Sequence, residues 1–369
     1  MPKVSVGLDI GFSSIKVVSL LQHEKPPKLI SLGSIGAPIP GMTSDADIEL
    51  EATAAAIKKL LAAAKIDEKS VVGALPESKV FTRVIDDLPY LSDSELPSAI
   101  KYASEEFIPM PVADVELNWQ VLFRGKLEEG EKISSREGIK DDTISSLGDK
   151  RSHFRGKTIV FVVATPKILV NKYLKVIKMA GLTLRALETE VIASARSLVG
   201  NNPFSPTTLV IQMDAATTDF AVVSKGLILL TRSITTGGAA LTRAIAQQFN
   251  FEISQAEEYK KVYGLASDQL EGKVFQALKG VVDVILEETK RVIQAYSAKN
   301  PQNQIKRIVL SGGGAKLPGL VIYLANNLGL EVQEADPWYF VAKDKTLRSK
   351  LISEGPVYTV AIGLSLRED

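Results

Sequence analysis

The strongest constraint on this chain is an internal duplication. Around Asp9 the order is an apolar strand, then Asp9, Ile10 and Gly11, two residues, Ser14, one residue, Lys16 and a second apolar strand. Around Gln212 it is a strand, then Gln212, Met213 and Asp214, two residues, Thr217, one residue, Asp219 and another strand. Laid over one another without gaps, Leu8 meets Ile211, Ser13 meets Ala216 and Ser14 meets Thr217. Apolar, β-branched flanks around a small, hydroxyl-rich turn predict a β-hairpin in each copy. Such a turn aims successive backbone N–H groups into a concavity that suits phosphate oxygens, and a glycine lets the backbone approach closely. One copy alone is equally an ordinary β-turn. Two copies, far apart in the chain, predict two lobes that face each other across a polyphosphate.

A third motif points the same way. Residues 308–319 read Ile-Val-Leu-Ser-Gly-Gly-Gly-Ala-Lys-Leu-Pro-Gly, a strand, a triple-glycine turn and a helix start. Backbone free of Cβ atoms passes flat against a base and ribose, and a helix N-terminus offers free N–H groups. By itself this is also a tight strand-to-helix connection. After two phosphate-type turns it predicts a nucleotide site.

Between these motifs strand and helix alternate, mixed α/β of the doubly wound kind. Strands are expected at 4–21 (two, joined by the first turn) and 71–75, with a helix at 47–65. Residues 79–84, a helix at 93–106 and a strand at 115–123 form a segment of different texture. Residues 124–157 are crowded with charged, Ser and Gly residues, which predicts a flexible hairpin extension, with a functional tether as the second reading. Strand 159–164, helix 166–180, strand 182–188 and helix 189–199 follow. The stretch 200–208, with Asn201, Asn202, Pro203 and Pro206, is the expected lobe boundary. Three strands within 209–233, a helical region at 238–299, a strand at 308–310 and a helix at 317–328 come after it. The expected organisation is a first lobe of 1–76 and 158–200, rejoined by 350–369, an extra subdomain at 77–157, and a second lobe at 201–349.

Composition removes other classes. The 44 Lys+Arg against 43 Asp+Glu leave a net charge of +1, without the basic excess that duplex nucleic acid demands. With no cysteine, thiolate zinc sites, iron–sulfur clusters and cysteine nucleophiles are excluded, and His23 and His153 are too few for a His-rich metal site. No apolar run nears the roughly 20 residues of a bilayer span, and no leader-type sequence opens the chain. The expectation is a cytoplasmic protein that reaches a membrane only through a partner.

The order of the three motifs resembles the actin, chaperone and sugar-kinase superfamily. That resemblance implies an actin-like (ribonuclease H-like, duplicated) two-lobed α/β fold binding ATP and Mg²⁺, with connecting helices at 187–198 and 357–366. It assigns Asp9 to the magnesium shell, Gly11, Ser13 and Ser14 to phosphate, Lys16 to a further charge contact, and Thr217 and Thr218 to the γ-phosphate. Gly312, Gly313 and Gly314 would line the adenosine. Glu257 and Lys260, i and i+3 on one helix face, match the pair flanking ribose and base; they are equally a surface ion pair. The superfamily has Asp where this chain has Gln212 and Gly where it has Asp214, so Asp214 becomes the candidate for holding Mg²⁺ through water. Glu190 corresponds to a carboxylate that orients attacking water, or it caps a helix. At most a weak ATPase is implied.

Residues 75–83, Asp87-Leu88-Pro89-Tyr90-Leu91-Ser92, residues 103–109 and Ala164-Thr165-Pro166-Lys167 resemble the PilM family of type IV pilus assembly proteins. The segment 77–157 sits where the FtsA/PilM branch carries its extra subdomain. The resemblance implies a scaffold that binds the cytoplasmic N-terminal peptide of a PilN-like inner-membrane protein, self-associates into a platform and contacts the pilus motor. Alternatives are an FtsA-like filament former and a metabolite kinase of the same superfamily, although no second motif supplies the kinase's catalytic Asp.

Overall fold

A computed structural model describes residues 3–125, 156–200, 202, 204–344 and 348–368. Most of the charged segment expected at 124–157 lies outside the described residues.

The duplication extends to whole sheets. In the first, β1 (Val4–Ile10), β2 (Ser14–Leu21), β3 (Lys28–Gly36), β4 (Ser70–Leu75) and β8 (Thr183–Thr189) are arranged β3-β2-β1-β4-β8. In the second, β9 (Thr208–Met213), β10 (Thr218–Ser224), β11 (Leu227–Ile234), β12 (Arg307–Ser311) and β13 (Glu331–Glu334) run β11-β10-β9-β12-β13. Each is an antiparallel meander of three strands continued by two parallel ones. The central strands are buried almost end to end, as coverage of both sheet faces requires. Strands β3 and β13 are not expected from the sequence pattern. Both are edge strands, half-exposed and spaced with Ser, Gly or charge, so neither carries a strong apolar run.

Helix α1 (Asp47–Ala63) buries Leu50, Ala54, Ile57 and Leu61, the 3–4 spacing of one face, and opens with Asp47 and Glu49 where the helix dipole favours acid. Helix α3 (Lys167–Met179) covers the same face of the first sheet. The helical region at 238–299 is three helices, α5 (Gly238–Phe249), α6 (Ile253–Tyr263) and α7 (Lys273–Lys299), over the second sheet. The helix expected at 317–328 is α8 (Leu320–Leu328); Pro318 and Gly319 delay it behind a 3-10 turn at Gly313–Lys316.

Two helices bridge the halves, α4 (Glu190–Leu198) and α9 (Arg348–Ser365). The first starts three residues later than the expected 187, because 187–189 pair with β4 as the end of β8. Their crossing depends on a missing Cβ: one placed on Gly363 would lie 1.9 Å from the Ala193 carbonyl oxygen. Arg196 Nη1 donates across the seam to the Gly363 carbonyl at 2.7 Å, and Ser197 Oγ to that of Thr359 at 3.0 Å.

A third, antiparallel sheet, β5-β7-β6, joins β5 (Phe81–Pro89), β6 (Val115–Arg124) and β7 (Lys157–Pro166). One face packs on α2 (Leu96–Ser104) through Ile85, Val160 and Val162. The other, through Leu122, Ile159 and Phe161, packs on Val191 and Ala195 of α4 and on Val210, Ala221 and Val223 of the second sheet.

Candidate functional site

The two hairpins hold opposite charge patterns at matching positions. In the first, Asp9 and Lys16 face each other in register, and Lys16 Nζ donates to Asp9 Oδ2 at 3.0 Å with both side chains buried. Burial opposes the lysine's charge, but Asp9, Asp214 and Glu190 outweigh it and raise its pKa. In the second hairpin the facing pair is Gln212 and Asp219. The Gln212 Nε2 donates to Asp214 Oδ2 at 2.7 Å, and its Oε1 accepts from Ser194 Oγ.

Both turns close on their own backbone. Gly11 N–H donates to the Ser14 carbonyl at 3.1 Å and Asp214 N–H to that of Thr217 at 2.9 Å. The start of α5 is laid against the second turn, with Gly238 and Ala239 N–H on the carbonyls of Asp214 and Ala215 at 2.8 Å.

These turns border one cleft of about 1480 Å³, lined among others by Asp9, Gly11, Ser13, Ser14, Lys16, Glu190, Asp214, Thr217, Glu257, Lys260, Gly313 and Gly314. Most of the residues singled out from sequence thus share one cavity. Glu257 and Lys260 pair with each other at 2.6 Å, and both bond the Thr242 hydroxyl of α5, at 2.6 and 2.9 Å. Burial works against the Glu257 charge, but Lys260 and Thr242 hold its pKa below the ordinary value. The pair is therefore an anchored wall of the cleft and more than a solvated surface bridge.

Two expectations need correction. Thr218 is fully buried and spends its hydroxyl on the Thr236 carbonyl at 2.6 Å, away from the cleft. Gly312, at φ +78°, sits behind the cavity wall, where a Cβ would come within 2.5 Å of the Met213 carbonyl oxygen; it shapes the turn and does not line it. Asp9, expected in the magnesium shell, lines the cleft and pairs with Lys16 through one oxygen, and among the described residues the carboxylates brought within 4.8 Å of one another are those of Glu190, Asp214 and Asp219.

Thr189 caps α4 by accepting from Ile192 N–H, which frees Glu190 to line the cleft. Burial first, then the Asp214, Asp9 and Asp219 charges, push Glu190 well above the usual carboxylate range. Burial likewise raises Asp214, against the pull of Lys16, and raises Asp219 to about 8. Three acids that each disfavour ionisation beside the others are an arrangement that a divalent cation relieves. The three oxygens that lie within 4.8 Å of one another supply the donor set for one, while Asp219 also accepts from Ser233 and Thr217. Sequence reasoning missed Asp219, although its place as the counterpart of Lys16 in the repeat was a signal.

The same cleft has an apolar trough in its lining, made by Ile39, Pro40, Met42, Met110, Ile168 and Leu169. Ile39 and Ile168 are 86% and 72% exposed, unusual for isoleucine. The Ala37 N–H donates to the Ser13 carbonyl at 3.0 Å, tying the trough wall to the phosphate-type turn. Among the described residues no helix is long and apolar enough to cross a membrane.

Comparison with known proteins agrees with this architecture. The family described as type IV pilus assembly protein PilM matches residues 7–133 and 147–369. A chain in the solved PilM–PilN type IV pilus biogenesis complex is 28% identical, with a TM-score of 0.78 over 98% of both chains. The ethanolamine utilization protein EutJ from Carboxydothermus hydrogenoformans shares the fold at 18% identity, with a TM-score of 0.54 over 99% of this chain and 90% of its own. The cell division protein FtsA of Enterococcus faecalis is 23% identical over 94% of this chain and 81% of its own length. The fold is the actin-like one.

Proposed function

Because the chain belongs to the family of the type IV pilus assembly protein PilM, we propose that it is an ATP-binding scaffold that grips the cytoplasmic N-terminal peptide of a PilN-like inner-membrane protein. It thereby links that complex to the pilus motor from the inner face of the membrane and self-associates into a platform. One observation carries the reading: a single cleft is lined both by the two phosphate-type turns and by an apolar trough with exposed isoleucines.

In the nucleotide site, Gly11, Ser13 and Ser14 face Thr217 across the cavity and receive the phosphates through backbone N–H and hydroxyl groups. Lys16 adds positive charge beneath them. Gly313 and Gly314 lie against the adenosine, with Glu257 and Lys260 beside the ribose. Mg²⁺ would be held by Asp214, with Asp219, Glu190 and, through water, Asp9 around it; it neutralises phosphate charge. Gln212, neutral where the first turn has Asp9, fits slow or absent hydrolysis, far below the ~1–10³ s⁻¹ of dedicated enzymes. In the trough, Ile39, Met110 and Ile168 offer pockets for alternate apolar side chains of an extended peptide.

The test is thermal unfolding with and without millimolar Mg-ATP. A ligand that binds only the native state raises the melting temperature. A Cβ on Gly313 meets nothing within 4 Å, so Gly313→Glu should fold normally and fill the site. An absent shift in the native protein, or an equal shift in Gly313→Glu, contradicts the nucleotide reading. Co-sedimentation with liposomes tests the partner: recruitment should require vesicles that carry the PilN-like protein with its N-terminal peptide. Strong binding to bare liposomes would favour an FtsA-like role instead.

A further inference from the structure

The duplicated hairpins differ in charge at three positions, and the differences compensate one another. The first has Asp9 facing Lys16, with Gly11 in the turn; the second has Gln212 facing Asp219, with Asp214 in the turn. A carboxylate at position 9 is tolerated because the opposite strand offers an ammonium 3.0 Å away. At position 212 the same acid would face Asp219, with Asp214 and Glu190 also at hand, and four buried carboxylates would share one pocket. A neutral side chain is therefore required at 212, and the acid reappears two residues later.

We propose that Gln212 is the positioning residue of the second turn, an amide clamp that fixes Asp214 as the acid that this lobe presents to a nucleotide-bound divalent cation. The proposal rests on the nucleotide reading above. Gln212 is 2% exposed and has two fixed partners. The ionised, cation-binding form of Asp214 only accepts, so the amide NH₂ faces its Oδ2, at 2.7 Å, and the Ser194 hydroxyl donates to the amide oxygen. On the far side of Asp214 the Gly313 N–H donates to the carboxylate. A Cβ on Gly312 would come within 2.8 Å of Asp214 Oδ1, so that glycine keeps the space open. The chain of contacts runs from α4 through Gln212 and Asp214 to the glycine turn, and it crosses from one lobe to the other. Asp214 is thus held by the Gln212 amide and the Gly313 N–H in one orientation.

The experiment measures ATP affinity of the full chain twice, in Mg²⁺ and in EDTA, by fluorescence of a labelled ATP or by calorimetry. Outer partners of metal-holding side chains are worth about 10–100-fold in affinity. Gln212→Met, of similar length but without a donor, should lose at least about tenfold of the Mg²⁺-dependent gain and leave the EDTA affinity unchanged. Ser194→Ala, which frees the amide without altering the clamp's shape, should move in the same direction by less and serves if Gln212→Met does not fold. Asp214→Gly alone should abolish the gain, whereas Gln212→Asp combined with Asp214→Gly, which moves the acid two residues back without raising the number of carboxylates, should recover part of it. Equal losses in Mg²⁺ and EDTA would reduce Gln212 to a packing residue and overturn the assignment, as would a wild-type affinity indifferent to Mg²⁺. Absence of ATP binding by the wild type in either buffer would instead remove the nucleotide reading itself, and this one with it.

Discussion

Adding one methyl group at two glycines should move stability in opposite directions. Gly363 lies where α9 crosses α4, and a Cβ there would stand 1.9 Å from the Ala193 carbonyl oxygen and 2.4 Å from its carbon. Both contacts are backbone, so no side chain can swing aside, and the helices must part by roughly 1 Å or more. That separation strains the two hydrogen bonds across the seam, from Arg196 to Gly363 and from Ser197 to Thr359. Each is worth about 0.5–1.5 kcal/mol. Overpacking adds about 1–3 kcal/mol. Replacing glycine inside a helix returns about 0.5–1 kcal/mol. The net for Gly363→Ala is a loss of about 3 kcal/mol, or roughly 4 °C in melting temperature at about 2.1 cal/mol/K of unfolding entropy per residue. Gly280, exposed in α7, is the control, because a Cβ added there meets nothing within 4 Å. Gly280→Ala gains only the helix term, about 0.5–1 kcal/mol. The assay is thermal unfolding of both variants beside the wild type, in the same buffer without nucleotide. Equal melting of Gly363→Ala and wild type, or loss in Gly280→Ala, would refute the close crossing of the bridging helices.

Lys16→Met should cost about 3–5 kcal/mol, because it leaves Asp9 buried without its cation; Asp9→Asn added to it should recover part, read by denaturant unfolding. Glu77 is 4% exposed, and burial raises its pKa against the hydrogen bond from Thr82. A raised folded value means that its protonated form stabilises below the ordinary range and that this stability drains as pH climbs through the folded value, so Glu77→Gln should flatten the decline of melting temperature above about pH 4. A decline of the same slope in Glu77→Gln would refute it. Ile168→Glu should weaken binding of a PilN-like N-terminal peptide at least about tenfold, measured by fluorescence anisotropy, while the Mg-ATP shift persists.

The parts of the cleft that could be read from sequence are those built by adjacent residues. Gly11, Ser13, Ser14 and Lys16 act through turn geometry that a local pattern encodes, and the spacing of Glu257 and Lys260 already places them on one helix face. Thr242, which ties that pair down, comes from another helix, and nothing near it marks the contact. Ser194 is an ordinary helix residue until α4 is laid on β9. Thr218 and Thr217 are alike in sequence, yet the strand's alternation sends one into the core and leaves the other in the cleft. The edge strands β3 and β13 were illegible for the opposite reason, since a half-exposed strand needs little apolar patterning and its partner supplies the order.

The three-stranded sheet has two apolar faces, and only one of them belongs to its own helix. Excising residues 77–166 to obtain a minimal nucleotide-binding core would therefore strip Val191, Ala195, Val210, Ala221, Val223 and Ile228 of their cover. Such a truncation should come out of the cell as aggregate, and so should the isolated segment, whose Leu122, Ile159 and Phe161 would be left facing water. A protein engineer who wants to change what this chain grips has to repaint the trough residues one at a time, because the piece that carries Met110 is also a wall of the house.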